Sequence, residues 1–334
     1  MKVFVSIPRN SEVIRTFFPP MIKEYLEEKF QVSYSPLNRN LTMEEIPIYA
    51  KDAEVIITGW GHVPLNDGVL DQVPLKLIAH TGGSVGDLVS PKVYENGIRV
   101  ISGNILYADS VAEGVLAYML TALRRIPDYL LRVKQGGWSD ENSYTEGLLE
   151  QTVGIIGMGT ISLRLMKLLQ LFHVQIKIFS HYPIEQEMLK KYCARQVPLE
   201  EIFSTCKIVS LHSSMNEKTK EMIRKQHFDL LQNDAVFINT ARGGIIEENE
   251  MIEALKEKRF RAVLDVYQEE PLAYNSELRK LENVYCMPHQ AGPTVDRRPR
   301  IAKCLIDNIV KFEKGEKMEL EITKESASRM TVGG

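Results

Sequence analysis

Arg242, Glu270 and His289 are three side chains whose types and settings could do chemistry as a group. Arg242, in "INTARGG", follows the apolar run 235–239. That places it at the C-terminal end of a strand, where open α/β sheets bind ligands. Its rigid fork suits a carboxylate, which it can grip with two parallel charge-assisted bonds. In "DVYQEEP", residues 265–271, Asp265 completes a second strand and Glu270 precedes Pro271, whose ring biases its predecessor towards an extended backbone. "MPHQAG" sets His289 at a third strand end. A carboxylate hydrogen-bonded to an imidazole favours the charged ring, so a His so paired can hold a proton near neutrality. Read singly, these are a surface arginine in a turn, a solvated acidic turn and a satisfied histidine. Together they can bind a carboxylate, polarise a carbonyl beside it and deliver a proton.

A cofactor loop lies upstream. "TVGIIGMGTIS" puts Gly157 and Gly159 between an apolar strand and a helix over 160–171 that opens with Thr160 and Ile161. The first glycine permits a tight turn, the second lets the backbone approach a pyrophosphate, and the helix N-terminus favours the negative charge. Ser162 stands at the third position of the fingerprint, where Gly or Ala is usual. A structural glycine turn is the alternative. About 20 residues on, where an acid normally reads the adenosine ribose, Ser180 and His181 occupy the strand tip. Without that acid the barrier to a 2′-phosphate is gone, and no Arg stands ready to hold one. Either cofactor is permitted, with a lean towards NADP(H). His212 ends another strand and could line the same loop, as could Thr240 and Ala241 before Arg242. His173 and His227 fall in helix-like stretches and read as structural or exposed.

These residues need elements to position them. "KVFVSI", "AEVIITG", "LKLIAH" and "IRVIS" alternate with helical stretches such as 20–29, and "TVGIIG", "VQIKIF", "KIVSLH", "AVFINT", "RAVLDV" and "NVYCMP" begin a second series at 151. Both imply parallel sheets with helices on their faces. Between them "DSVAEGVLAYMLTALRRI" carries Ser110 and Glu113 in a capping-box arrangement and Val111, Val115, Met119 and Leu123 on one face, which predicts a helix over 109–126. A last helix is expected at about 295–313. If it packs on the first series, the second domain is an insertion. The polar tail "TKESASRMTVGG" is expected to fray.

With 334 residues the chain should form two domains. Its 41 basic and 44 acidic residues are interspersed, with a net charge of -3, so no nucleic-acid or membrane-surface footprint is present. No segment reaches the roughly 18 consecutive apolar residues of a membrane span. The N-terminus has no signal-peptide pattern. Cys193, Cys206, Cys286 and Cys304 form no CxxC pair, which argues against a metal site and a disulfide framework and favours the cytoplasm.

The ordered strings "GMGTIS", "NTARGG", "DVYQEEP" and "PHQAG" resemble the D-isomer-specific 2-hydroxyacid dehydrogenase family over nearly the whole chain. The family's catalytic Arg, Glu and His fall on Arg242, Glu270 and His289, and its aspartate beside the nicotinamide carboxamide falls on Asp265. The resemblance implies an α/β fold of two Rossmann-like or flavodoxin-like domains. A substrate domain of 1–103 plus 292–334 would hold an inserted NAD(P)-binding domain, 104–291. It also implies that the "HTGGSVGD" loop holds a substrate carboxylate on backbone N–H groups, with Gly83 and Ser84 as the donors. Trp60 could line the pocket or simply be half-buried packing. Gly86 replaces the family's usual aspartate after that loop, and Ser214 its usual proline. The implied activity is reversible reduction of a small 2-oxo acid to the D-2-hydroxy acid, with NAD(P)H giving the hydride. A homodimer is implied too, with helix 109–126 as a candidate contact. An NAD(H)-sensing regulator of the same fold and a phosphite-type dehydrogenase are the alternatives.

Overall fold

The structure, a computed structural model, describes residues 1–139 and 144–331. It divides into two compact units, Met1–Tyr107 with Pro293–Gly334, and Ala108–Gly292. The division falls four residues inside a long helix rather than before it.

The first unit is a parallel sheet of β1 (Lys2–Val5), β2 (Gln31–Tyr34), β3 (Val55–Thr58), β4 (Leu77–His80) and β5 (Arg99–Ser102), in the order β2-β1-β3-β4-β5. β3 and β4 are buried along their whole length, as strands covered on both faces must be. One face packs on Val13, Phe17 and Phe18 from the N-terminal helix Glu12–Phe17 and its C-cap, and on Ile301, Leu305 and Ile309 from the helix Arg298–Glu313. The last helix therefore does return to the first series.

The second unit is a seven-stranded parallel sheet. Its strands are β6 (Thr152–Ile156), β7 (Gln175–Phe179), β8 (Ala194–Gln196), β9 (Ile208–Leu211), β10 (Val236–Asn239), β11 (Arg261–Leu264) and β12 (Val284–Cys286), in the order β12-β11-β10-β9-β6-β7-β8. Register pairs Phe179 with Ile156, Ile156 with Leu211, Leu211 with Asn239, Asn239 with Leu264 and Leu264 with Cys286. Six strands thus end in one row. The residue after each end, Ser180, Gly157, His212, Thr240, Asp265 or Met287, starts a loop on the same edge of the sheet. Strand order reverses between β6 and β9, which makes the crevice at their tips the ligand position of such a sheet.

Three expectations need correction. The long helix runs from Asn104 to Leu123, so Ser110 is interior and caps nothing. The chain breaks at Arg125 in a left-handed conformation (φ 51°), and a separate helix, Ile126–Lys134, follows. By length and hydropathy Asn104–Leu123 could cross a membrane, but Val111, Val115 and Met119 are buried in the core beside Leu165 and Met166, which also removes that face as a subunit contact. The tail does not fray over its described part. Leu320 and Ile322 hydrogen-bond along β5, Thr323 caps the helix Lys324–Ala327, and Ala327 is buried. The tail's last three residues lie outside the described residues. Polar composition hid this because, among the tail's described residues, Ala327 and Met330 are the ones that pack on the core.

Candidate active site

Gly157 takes φ +101°, and a Cβ there would sit 2.6 Å from the Ser213 amide nitrogen. Only glycine lets the turn after β6 pass so close to the turn after β9. A Cβ at Gly159, by contrast, meets nothing within 4 Å. The space over Gly159 opens at the N-terminus of the helix Thr160–Leu169, where the Thr160 and Ile161 N–H groups have no hydrogen-bond partner among the described residues and can face an anion. Ser162, expected as a flaw in the fingerprint, is buried and its hydroxyl donates to the Gly157 carbonyl at 2.8 Å. It ties the turn to the helix.

Around this loop, Ser180 Oγ accepts the Tyr182 N–H at 3.1 Å, and the exposed His181 ring lies edge-on to Phe179. Neither an acid nor an Arg occupies 180–182. His212 Nε2 pairs with Ser210 Oγ at 2.8 Å, and burial pushes the imidazole down to about 4, so the ring is neutral. His212 Nδ1 and Thr240 Oγ1 are buried without a hydrogen-bond partner among the described residues, one at each of two neighbouring strand tips. The open glycine, the helix N-terminus without a side-chain cap among the described residues and these two atoms suit a dinucleotide.

Next to Thr240 the chain turns to present Arg242. The buried Asn239 side chain fixes this turn, accepting the Ala241 N–H at 3.0 Å and donating to the Arg242 carbonyl at 3.1 Å. Arg242 Nη1 donates to the Ala241 carbonyl at 2.7 Å. A Cβ at Gly243 would fall 1.9 Å from the Tyr267 carbonyl carbon, so the Arg242 loop lies directly on the backbone of the Glu270 loop.

Glu270 and His289 are joined. The His289 Nδ1–H donates to Glu270 Oε2 at 2.7 Å, while Glu270 Oε1 accepts the Tyr267 N–H at 3.1 Å. Both side chains are partly exposed, whereas Glu269 is simply exposed. With Nδ1 engaged, Nε2 is the nitrogen left to face a substrate. The Glu270–Pro271 peptide is cis, a detail the sequence reading missed. Asp265 is 1 % exposed, and its carboxylate accepts the Gln290 N–H at 2.8 Å, the Ala291 N–H at 2.9 Å and the Tyr118 hydroxyl at 3.1 Å. Its visible task is to hold the loop that follows His289. Tyr118 escaped sequence reasoning because its only sequence signature is a place on an apolar helix.

In the first unit, Gly83 and Ser84 follow β4. Their N–H groups make no hydrogen bond among the described residues, which leaves them open to an anion. The Ser84 hydroxyl donates to the Thr331 carbonyl at 3.0 Å and accepts the Gly86 N–H at 3.2 Å. Trp60 is 39 % exposed. Its ring stands edge-on to Phe17, with centroids 5.5 Å apart, and the Arg298 guanidinium lies 5.1 Å from its centroid.

Comparison with known proteins agrees with this geometry. Residues 116–291 match the family model described as "D-isomer specific 2-hydroxyacid dehydrogenase, NAD binding domain". D-3-phosphoglycerate dehydrogenase of Methanocaldococcus jannaschii is 30% identical over 96% of this chain, which spans only 59% of that relative's length. Glyoxylate reductase of Thermococcus litoralis is 32% identical over 74% of this chain and 77% of its own. The fold matches D-mandelate dehydrogenase of Rhodotorula graminis with a TM-score of 0.80 at 19% identity, covering 97% of both chains. A matched NAD-binding domain over more than half the chain, and an Arg, Glu and His on the loops of its strand tips, place this protein in the D-isomer specific 2-hydroxyacid dehydrogenase family.

Proposed function

We propose that the protein reversibly reduces a small 2-oxo acid, of glyoxylate or hydroxypyruvate size, to the D-2-hydroxy acid. The observation that carries this reading is the 2.7 Å Glu270–His289 pair, beside a loop presenting Arg242 that rests on the Glu270 loop. A proton donor and a carboxylate-binding cation on adjoining loops are what carbonyl reduction next to a carboxylate requires. The relative named as glyoxylate reductase supports the substrate class.

The Gly157–Ile161 turn, with Thr240 and His212 beside it, would hold NAD(P)H, which supplies the hydride to the substrate carbonyl carbon. The Arg242 fork takes the substrate carboxylate and draws electron density towards the carbonyl oxygen. His289 Nε2–H gives that oxygen its proton, and Glu270 keeps the ring oriented and offsets its charge. In the first unit, the Gly83 and Ser84 N–H groups, which make no hydrogen bond among the described residues, are assigned a part in binding a substrate carboxylate. The Ser180–Tyr182 tip, with no carboxylate to repel a 2′-phosphate, supports use of NADP(H) as well as NAD(H).

The test follows NADH and NADPH oxidation against glyoxylate, hydroxypyruvate, pyruvate and phenylpyruvate. His289→Ala and Arg242→Ala should each lose about 100-fold or more in kcat/KM while cofactor binding survives. Glu270→Gln should lose less, about tenfold, because the ring keeps a hydrogen-bond acceptor. Wild-type turnover in both alanine variants would overturn the reading.

A further inference from the structure

The helix Asn104–Leu123 contains a glycine well inside it, at position 114. A helix-interior glycine destabilises the helix relative to alanine, so its presence calls for a reason. A Cβ at 114 would lie 3.3 Å from both the Cα and the carbonyl oxygen of Ala291. One turn further along the same face, Tyr118 reaches the Asp265 carboxylate. Both contacts converge on the segment directly after His289, which itself adopts φ +56°, a conformation uncommon for a non-glycine residue. The Gln290 and Ala291 amides point into Asp265 from that turn.

We propose that this helix is the platform that positions His289: Gly114 admits the backbone of Ala291, and Tyr118 is a positioning residue that fixes Asp265, and through it the turn carrying the imidazole. The inference rests on the assignment of His289 as proton donor. Among the described residues, the Tyr118 hydroxyl bonds to Asp265 and not to His289 or Glu270. It acts by removing freedom from the carboxylate that two consecutive loop amides share. When the hydroxyl is lost, Asp265 Oδ1 keeps, among the described residues, the Gln290 N–H, and the loop amides gain room to move. A proton donor displaced by a fraction of an ångström loses rate without losing affinity, because alignment matters only as the proton passes.

The two variants to make are Tyr118→Phe, which deletes one oxygen at constant shape, and Gly114→Ala. The alanine raises helix propensity while pressing on Ala291, so it separates positioning from stability. Both should lower kcat about tenfold, with the KM for glyoxylate and the NADH affinity within twofold of wild type. The melting temperature should hold in Tyr118→Phe and hold or rise in Gly114→Ala. Amide hydrogen exchange at Gln290 and Ala291 should quicken in Tyr118→Phe. Turnover and exchange at wild-type levels in both variants would overturn the proposal, as would a kcat loss that tracks a fall in melting temperature. His289→Ala is run alongside. If that variant keeps full turnover, the proton-donor assignment fails instead, and exchange at the two amides alone decides whether the helix fixes the turn.

Discussion

At position 157 an added Cβ would strike backbone, and at 159 it would meet open space. Two glycines of one motif therefore stand in different settings, one pressed against backbone and one facing open space at a helix N-terminus. Gly157→Ala should cost about 1–3 kcal/mol from its left-handed backbone alone, a melting-temperature drop of roughly 2–10 °C for a unit of this size. Gly159→Ala should melt like wild type yet bind NADH about tenfold more weakly, read by quenching or enhancement of fluorescence. Equal effects of the two substitutions on melting would refute the distinction. Both glycines were legible from the sequence, because a strand, a turn and a helix follow one another there without interruption. Glu270 and His289 were legible by their company, each at a strand end. Tyr118 was not, since its contact to Asp265 spans 147 positions and neither residue's neighbours announce the other.

Among the elements, the apolar strands β1, β3, β4 and β5 and the six strands whose tips align were readable as short hydrophobic runs. The edge strands β2 and β8 were not. They are mixed in composition, half-exposed along their length, and pair on one side only. The start of the Asn104–Leu123 helix was misplaced because a capping-box pattern at Ser110 recurs inside a helix that begins earlier, where Ser102 Oγ accepts the Asn104 N–H. The end of β4 carries a different kind of information. His80 is buried there, its Nδ1 paired with Thr58 Oγ1 at 2.9 Å, and burial, with His62 nearby, pushes it down to about 3. An unfolded chain takes up a proton near pH 6.5 that the folded strand refuses until about pH 3. The stability this neutral ring allows is complete above pH 6.5 and falls by about 1.4 kcal/mol per pH unit as the solution is acidified towards pH 3. His62 and His212, both held near 4 by burial, add in the same direction. Urea midpoints measured from pH 8 to pH 4 should drop more steeply for wild type than for His80→Gln. Parallel curves would show that the buried imidazole does not set the slope.

For the molecule as a whole, the first unit draws its core from both ends of the chain. Phe17, Phe18 and Leu26 close against Ile301, Leu305, Ile309, Met318 and Leu320, whereas the second unit is one uninterrupted stretch, Ala108–Gly292. A chain ending at Gly292 should keep the cooperative melting of the second unit and bind NADH, but bind ANS strongly through the uncovered face of the first sheet. If such a chain shows no exposed apolar surface, the returning helix is dispensable. This arrangement also sets a timetable. A ribosome making the protein from its first codon releases the β1–β5 strands long before the helix that covers them exists. The inserted unit, by contrast, has every residue it needs while Arg298–Glu313 is still unsynthesised. The nascent chain therefore carries a finished nucleotide-binding fold flanked by an open sheet. That interval, rather than the folded protein, is when the apolar face of β1 and β3 is exposed to chaperones and to neighbouring chains.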